Sequence, residues 1–273
     1  MNQASHGHNG DSTLFPVSCL LLHGFGGTPF EMAPLEEGLA ARSVTTSTPC
    51  LPGHATHLED FVQTRFAHWL QEARTRYLQL VEQGRPVVVI GLSMGGTLGL
   101  RLAQEFPVAG LVTIAAPVYL YTLLPWRGSS PLLPLVPLLR HVRPVVNVPK
   151  PSPESNRIAP HKGYEGFQAL QPLSSLLSGL RSVRQSLGKV TAPLLVLHSP
   201  QDLTVPVENS WEIISRVNSR QRWLQLMTIQ ERVTTRHLLT THEETSSQVV
   251  QAVIDFVLRV SAASARTDVS DSA

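Results

Sequence analysis

A single serine, Ser93, stands among glycines in Gly91-Leu92-Ser93-Met94-Gly95-Gly96, directly after the branched apolar run Val87-Val88-Val89-Ile90. Gly-x-Ser-x-Gly between a strand and a helix is the sequence form of a nucleophile elbow, a tight turn that lifts the hydroxyl clear of the backbone. The glycines remove Cβ atoms that would clash if the chain reversed sharply at Ser93. The serine then lies at a helix N-terminus, where free N–H groups favour developing negative charge. Such a residue can attack an acyl carbon. A neutral hydroxyl does this poorly without a general base, and the base needs a third group to orient it.

For an elbow of this kind the chain order runs serine, acid, histidine. The acid belongs just after a later strand. "PLLVLHSPQDLTVP" supplies Asp202 there, whereas Glu208 falls on the following helix. The histidine belongs in the loop between the last strand and the last helix, and "ERVTTRHLLTTHEETSS" holds two, His237 and His242. His237 lies inside the loop and is favoured. His242 adjoins Glu243 and Glu244, where the helix begins, and stays open as the alternative. His198 is too close to Asp202 and reads as a structural residue at a strand end, and His161 has no support from chain order. Negative charge building on an acyl oxygen needs preorganised donors. The Met94 N–H, next after the serine, is one. The loop His23-Gly24-Phe25-Gly26-Gly27 offers the second, assigned to the Phe25 N–H, with His23 tying the loop down through its ring nitrogens.

These side chains need a scaffold to position them. Apolar or β-branched runs at 19–22, 44–50, 87–90, 111–117, 193–199 and 223–227 read as strands. Helical patterns occupy 30–41, 61–81, 94–105, 207–216 and 245–259; in the second, apolar positions 66, 69, 70, 73, 77, 80 and 81 mark one buried face. Alternating strands and helices, with continuously apolar strands, specify an α/β fold: a mostly parallel sheet covered by helices on both faces. Residues 118–190 break the alternation. This Pro- and Leu-rich stretch, with a helical segment near 166–187, is too long for a connection and reads as a small cap insertion over one edge of the sheet. Leu123, Leu124, Trp126 and Leu135, with Leu132, Leu133, Val136, Leu138 and Leu139 beside them, are the candidates to line an acyl pocket. Trp69 and Phe30 read as core. The domain is expected to span 14–260, between flexible polar tails at 1–13 and 261–273.

Apolar residues make up 42% of the 273-residue chain, enough for a large core. With 22 Lys and Arg against 20 Asp and Glu and no basic block, the charge argues against a nucleic-acid partner. No stretch reaches the roughly 18 apolar residues of a membrane span, so no integral membrane association is expected. The polar start MNQASHGHNGDST lacks the apolar stretch of a signal peptide, and a cytoplasmic location is expected. Cys19 and Cys50 read as buried free thiols, and His6 and His8 as tail residues rather than metal ligands.

"LLLHGFGGTP", "LPGHATHLEDF", "VIGLSMGGTLGLRLA", "VTIAAPVYL" and "DLTVPVENS" together resemble the α/β-hydrolase superfamily, and within it the small bacterial carboxylesterases and monoacylglycerol lipases. The likeness runs from about Leu20 to Val260 and is weakest across 120–190, where such enzymes carry a variable cap. It implies a serine hydrolase that cleaves carboxylic esters of short to medium acyl chains, or monoacylglycerols, through an acyl-enzyme and without cofactor or metal. It implies Ser93, Asp202 and His237 as the catalytic set, with Phe25 and Met94 as oxyanion donors. The same set could cleave thioesters, amides or carbon–carbon bonds. Two positions depart from the family pattern: Ala55 replaces the second glycine of a Gly-His-Gly turn, and Arg236 stands before His237 where glycine is frequent.

Overall fold

The computed structural model describes residues 17–120 and 135–270, with side chains through residue 262. Its strands are β1 (Ser18–Leu22), β2 (Thr45–Ser47), β3 (Val87–Leu92), β4 (Gly110–Ile114), β5 (Val145–Asn147), β6 (Phe167–Ala169), β7 (Leu194–His198) and β8 (Arg222–Leu226). Its helices are α1 (Ala33–Ala40), α2 (Leu58–Gln63), α3 (Phe66–Val81), α4 (Met94–Glu105), α5 (Val136–Leu139), α6 (Pro153–Ile158), α7 (Leu170–Gln185), α8 (Glu208–Arg216) and α9 (Ser246–Ser270). Six strands form one sheet in the order β2-β1-β3-β4-β7-β8, every pairing parallel.

The register explains why the strands are apolar without interruption. Leu20, Val89, Leu111 and Leu194 lie side by side across β1, β3, β4 and β7 and face one layer, with α3, α4 and α7. Their successors Leu21, Ile90, Val112 and Leu195 face the other layer, with α1 and α9. Each strand alternates its side chains, so a strand covered on both faces needs an apolar residue at every position. The edge strands β2 and β8 are only partly covered, and their sequences are correspondingly mixed.

The insertion between β4 and β7 has two parts. Its latter half, α7, sends Leu173, Leu176, Leu180 and Val183 into the same apolar layer as Trp69 and Leu98, so it belongs to the main core. Its earlier half holds α5, α6 and the separate antiparallel pair β5-β6.

Several expectations need correction. The helix expected over 61–81 is two helices: Thr64 is extended, and its hydroxyl turns back to donate to the Phe61 carbonyl at 2.7 Å. Cys19 is buried but Cys50 is exposed, because β2 ends at Ser47 and the chain has left the sheet. Phe30 is half-buried rather than core, with the Lys162 ammonium 4.4 Å from its ring centroid. Helix α9 runs to Ser270, past the boundary expected at 260. The expected N-terminal tail lies outside the described residues.

Both departures from the family pattern fall where the backbone is left-handed, at φ 54° for Ala55 and φ 57° for Arg236. Glycine reaches this region freely, whereas a Cβ there costs about 1 kcal/mol or more. Ala55 is exposed, away from the core. Ala55→Gly is therefore expected to raise stability by up to ~1 kcal/mol after the unfolded-chain entropy of glycine is subtracted, a Tm gain of about 1–3 °C by calorimetry.

Candidate active site

The chain leaves β1 for β2 on one side, while β3 lies on the other side of β1. At such a switch point the loops beyond the carboxyl ends of the strands diverge and leave a crevice. The loop after β1 carries Phe25, the turn after β3 carries Ser93, the loop after β7 carries Asp202, and the loop after β8 carries His237.

Ser93 has φ 52° and ψ −120°, the strained turn expected of an elbow. A Cβ at Gly95 would come within 2.0 Å of the Leu22 carbonyl oxygen, so α4 can start against β1 only because that residue is glycine. The His237 Nε2 lies 2.9 Å from the Ser93 Oγ, and its Nδ1 lies 2.7 Å from the Asp202 Oδ2. A carboxylate facing Nδ1 keeps the proton there, so Nε2 is free to accept from the serine hydroxyl. The other Asp202 oxygen accepts from the Thr204 and Val205 N–H groups at 2.7 and 2.9 Å. His242 is elsewhere: it is fully buried, accepts from the Glu244 N–H at Nδ1, and faces Glu231 through Nε2 at 3.1 Å. Of the two histidines, His237 lies within hydrogen-bond distance of both Ser93 and Asp202, and His242 faces Glu231 instead.

The electrostatics follow from burial and pairing. Burial alone would push the Asp202 carboxyl up, but the His237 charge and the hydrogen bonds from His198 and His237 outweigh it and hold it at about 2. Burial alone would lower His237, and the Asp202 charge and hydrogen bond raise it above its ordinary 6.5. Asp202 thus stays ionised and favours the imidazolium form.

The oxyanion loop is held on both sides of Phe25. The His23 Nε2 accepts from the Leu51 N–H at 3.1 Å, so its Nδ1 carries the proton and donates to the Gly24 carbonyl at 2.9 Å. The His54 Nε2 accepts from the Gly26 N–H at 3.1 Å. Burial, then the nearby His23, lower His54 to about 3, which keeps it a neutral acceptor. Among the described residues, neither the Phe25 N–H nor the Met94 N–H is bonded to an acceptor.

Two cavities meet at Ser93, Phe25 and His237. One, of about 650 Å³, is apolar and lined by Leu120, Val136, Leu139, Leu170, Leu173 and Leu176. The other, of about 480 Å³, carries polar groups including Ser152, Ser155, Asn156, His161 and Arg236. Of the acyl-pocket candidates, Val136 and Leu139 line the apolar cavity, whereas Leu135 and Leu138 are 49% and 69% exposed, because α5 turns the first two inward. Leu123, Leu124, Trp126, Leu132 and Leu133 lie outside the described residues.

Sequence reasoning passed over Glu31, Asn209 and the part played by His198. Glu31 is a buried carboxylate between Phe30 and Met32, and an acid in an apolar stretch was the available signal. Asn209 accepts from the Val118 and Tyr119 N–H groups at 2.7 and 3.0 Å and steers the chain out of β4. His198 is held by the Ser210 hydroxyl at Nδ1 (2.6 Å) and places Nε2 3.3 Å from the Asp202 Oδ2, so it supports the acid rather than serving as base.

A parallel sheet with a serine elbow, a buried acid and a histidine on three of its carboxyl-end loops defines a class of nucleophilic hydrolase folds. The chain belongs to the alpha/beta hydrolase family, whose model matches residues 19–244. It is 33% identical over 211 residues to the thermostable monoacylglycerol lipase of Bacillus sp. (strain H-257), covering 76% of this chain and 79% of that one. It is 26% identical over 207 residues to the carboxylesterase of Bacillus subtilis (strain 168), covering 76% and 80%. A solved structure of the metagenome-derived lipolytic enzymes LipS and LipT superposes with a TM-score of 0.77 at 22% identity, over 89% of this chain and 94% of that chain, which bears on the fold alone. Among the described residues, no helix is long and apolar enough to cross a membrane, and no group of three or more His, Cys, Asp or Glu could hold a metal ion.

An NMR titration of His237 is expected to give a pKa above 6.5 in the native protein. In Asp202→Asn it should fall below the native value, because burial then acts without the opposing carboxylate charge.

Proposed function

We propose that this protein is a serine carboxylic-ester hydrolase that works through an acyl-enzyme. The observation that carries the reading is the continuous chain Ser93 Oγ, His237 Nε2, His237 Nδ1, Asp202 Oδ2, at 2.9 and 2.7 Å, set where an apolar and a polar cavity join. An ester has the same two-sided character, with an acyl chain on one side of its carbonyl and an alcohol on the other.

In the proposed reaction the Ser93 Oγ attacks the ester carbonyl carbon while His237 takes the hydroxyl proton. The carbonyl π electrons move to oxygen, and the oxyanion rests on the Phe25 and Met94 N–H groups. Collapse expels the alkoxide, to which His237 returns the proton, leaving acyl-Ser93. Water, deprotonated by His237, attacks the acyl carbonyl in turn; the tetrahedral intermediate collapses, the Ser93 Oγ leaves and takes the proton back from His237, and the carboxylic acid is released. Asp202 stays ionised throughout and stabilises the imidazolium. Oxyanion donors of this kind are worth roughly 3–4 kcal/mol each.

The apolar cavity receives the acyl chain, where each buried methylene contributes ~0.8 kcal/mol. The polar cavity receives the alcohol. Its Ser152, Ser155 and Asn156 favour a hydroxyl-bearing leaving group, which supports the monoacylglycerol lipase reading beside that of a carboxylesterase acting on short to medium chains.

A fluorophosphonate probe should label the native protein and leave Ser93→Ala unlabelled, with ester hydrolysis in that variant lower by about 10⁴-fold or more. A folded native protein that resists labelling would overturn the reading. Across p-nitrophenyl esters from acetate to palmitate, short to medium chains should turn over fastest. Leu173→Trp, which fills part of the apolar cavity, should lower kcat/KM roughly tenfold for chains that lose room for two methylenes, with acetate little changed. Monoacylglycerols hydrolysed faster than ethyl esters of the same acids would favour the lipase reading, and equal rates the esterase. The kcat/KM profile should fall as pH drops through a value above 6.5, since only the neutral imidazole accepts the serine proton.

A further inference from the structure

Four backbone groups flank the Phe25 N–H, and all four are bonded. The Gly24 carbonyl and the Gly26 N–H are held from within the domain by His23 and His54. The other two are reached by the cap insertion. The Tyr164 N–H donates to the Gly26 carbonyl at 2.8 Å, and the cap chain runs so close there that a Cβ on Gly163 would sit 2.2 Å from that oxygen. The Gly24 N–H donates to the Glu31 Oε2 at 2.9 Å, and the other carboxylate oxygen, Oε1, accepts from the His161 Nδ1 at 2.9 Å.

Glu31 does not line up with any element of the proposed reaction, yet it is a carboxylate with 1% exposure. A buried charge of this kind persists only where donors surround it. Here the donors are one N–H of the oxyanion loop and one imidazole of the cap. Burial alone would push the Glu31 carboxyl up; the contacts with His161, His23 and the Gly24 N–H pull it below the ordinary carboxylate range. Burial would lower His161, and Glu31, with Glu165 beyond it, raises it above its ordinary value. The Nδ1–Oε1 contact joins two chain segments 130 positions apart.

We propose that His161 is a positioning residue for the oxyanion loop, acting through Glu31 on the Gly24 N–H so that docking of the cap and aiming of the Phe25 N–H are one event. His161 does not touch the reacting atoms in this arrangement. It fixes the carboxylate that fixes Gly24, and Phe25 follows in the chain. The same segment lines the polar cavity through His161, so the wall that receives the alcohol also sets the donor that receives the oxyanion. This inference rests on the acyl-transfer reading above.

The test is kinetic. A purely structural loss would weaken ground-state and transition-state ligands alike, whereas a misaimed donor weakens the second alone. His161→Ala is expected to lower kcat by about 10–100-fold, with KM within about threefold, because a small misplacement of an oxyanion donor is felt in the transition state. A trifluoromethyl ketone, which forms a tetrahedral adduct with the serine, should lose affinity by the same factor as kcat/KM, while the carboxylic acid product should bind as before. Glu31→Ala should match His161→Ala. His161→Asn, whose amide N–H takes the place of the Nδ1 donor, should recover most of the loss. Should His161→Ala not fold, His161→Leu, which keeps bulk but has no donor, is expected to show the same pattern. The proposal is overturned if folded His161→Ala or His161→Leu keeps kcat and ketone affinity within twofold of native, or if ketone and product lose affinity equally. Failure of the underlying reading shows separately, as a native protein whose hydrolysis does not depend on Ser93.

Discussion

A carboxylate taken out of water must be met by donors, and this requirement organises the carboxyl edge of the sheet. Two carboxylates, Asp202 and Glu31, lie there under cover, and a third, Glu231, is partly exposed. Asp202 gathers the Thr204 and Val205 N–H groups, His198 and His237. Glu31 gathers the Gly24 N–H and His161. Glu231 gathers the N–H groups of Val233 and Thr234, the Thr234 hydroxyl and His242, which together outweigh its burial and hold it at about 2. Each carboxylate shapes one loop: the acid turn, the oxyanion loop, and the loop that carries His237. Removing one donor from such a group leaves a buried charge unmet, so the loops are held by electrostatics that tolerate little displacement.

The sheet supplies what these loops cannot. Parallel strands point their carboxyl ends in one direction, and the reversal of strand order between β1 and β3 opens a crevice there. Phe25, Ser93, Asp202 and His237 follow four different strands, so their separation is set by inter-strand spacing rather than by any local turn. The Leu203 N–H donates to the Thr235 carbonyl at 2.9 Å and ties the acid turn to the histidine loop directly. The cap completes the arrangement from above: Val136 and Leu139 close the apolar cavity, and His161 and Tyr164 close on the oxyanion loop.

Backbone strain is concentrated at the same edge. Ser93, Ala115 and Arg236 have φ values of 52°, 48° and 57°, each at the exit of a strand or beside a site residue. Non-glycine residues persist in that region only when their surroundings over-determine them. At Ser93 the determinants are the bond from its N–H to the Ile114 carbonyl at 2.7 Å and the start of α4 behind it. At Arg236 they are the Thr234 hydroxyl, which accepts the Arg236 N–H at 3.0 Å, and Glu231 behind Thr234.

What could be read from the sequence was what repeats or is local. The strands that are covered on both faces announced themselves by unbroken apolar runs, and α4 by the glycines and the apolar positions that follow Ser93. Ser93 and Asp202 were legible because each sits at a fixed step beyond such a run. The edge strand β2 was overextended, since a half-covered strand has a mixed pattern with no sharp end. Leu135 was misjudged because helical phase in the four-residue α5, which decides inward from outward, cannot be read from a stretch so rich in leucine. The preference for His237 over His242 followed from loop position, and the contacts His237 makes with Ser93 and Asp202 span 144 and 35 positions of chain. Glu31 and His161 were invisible for the same reason. A residue's partner across 130 positions leaves no periodicity and no spacing, and only the folded chain, by excluding water from the carboxylate, makes that partner necessary.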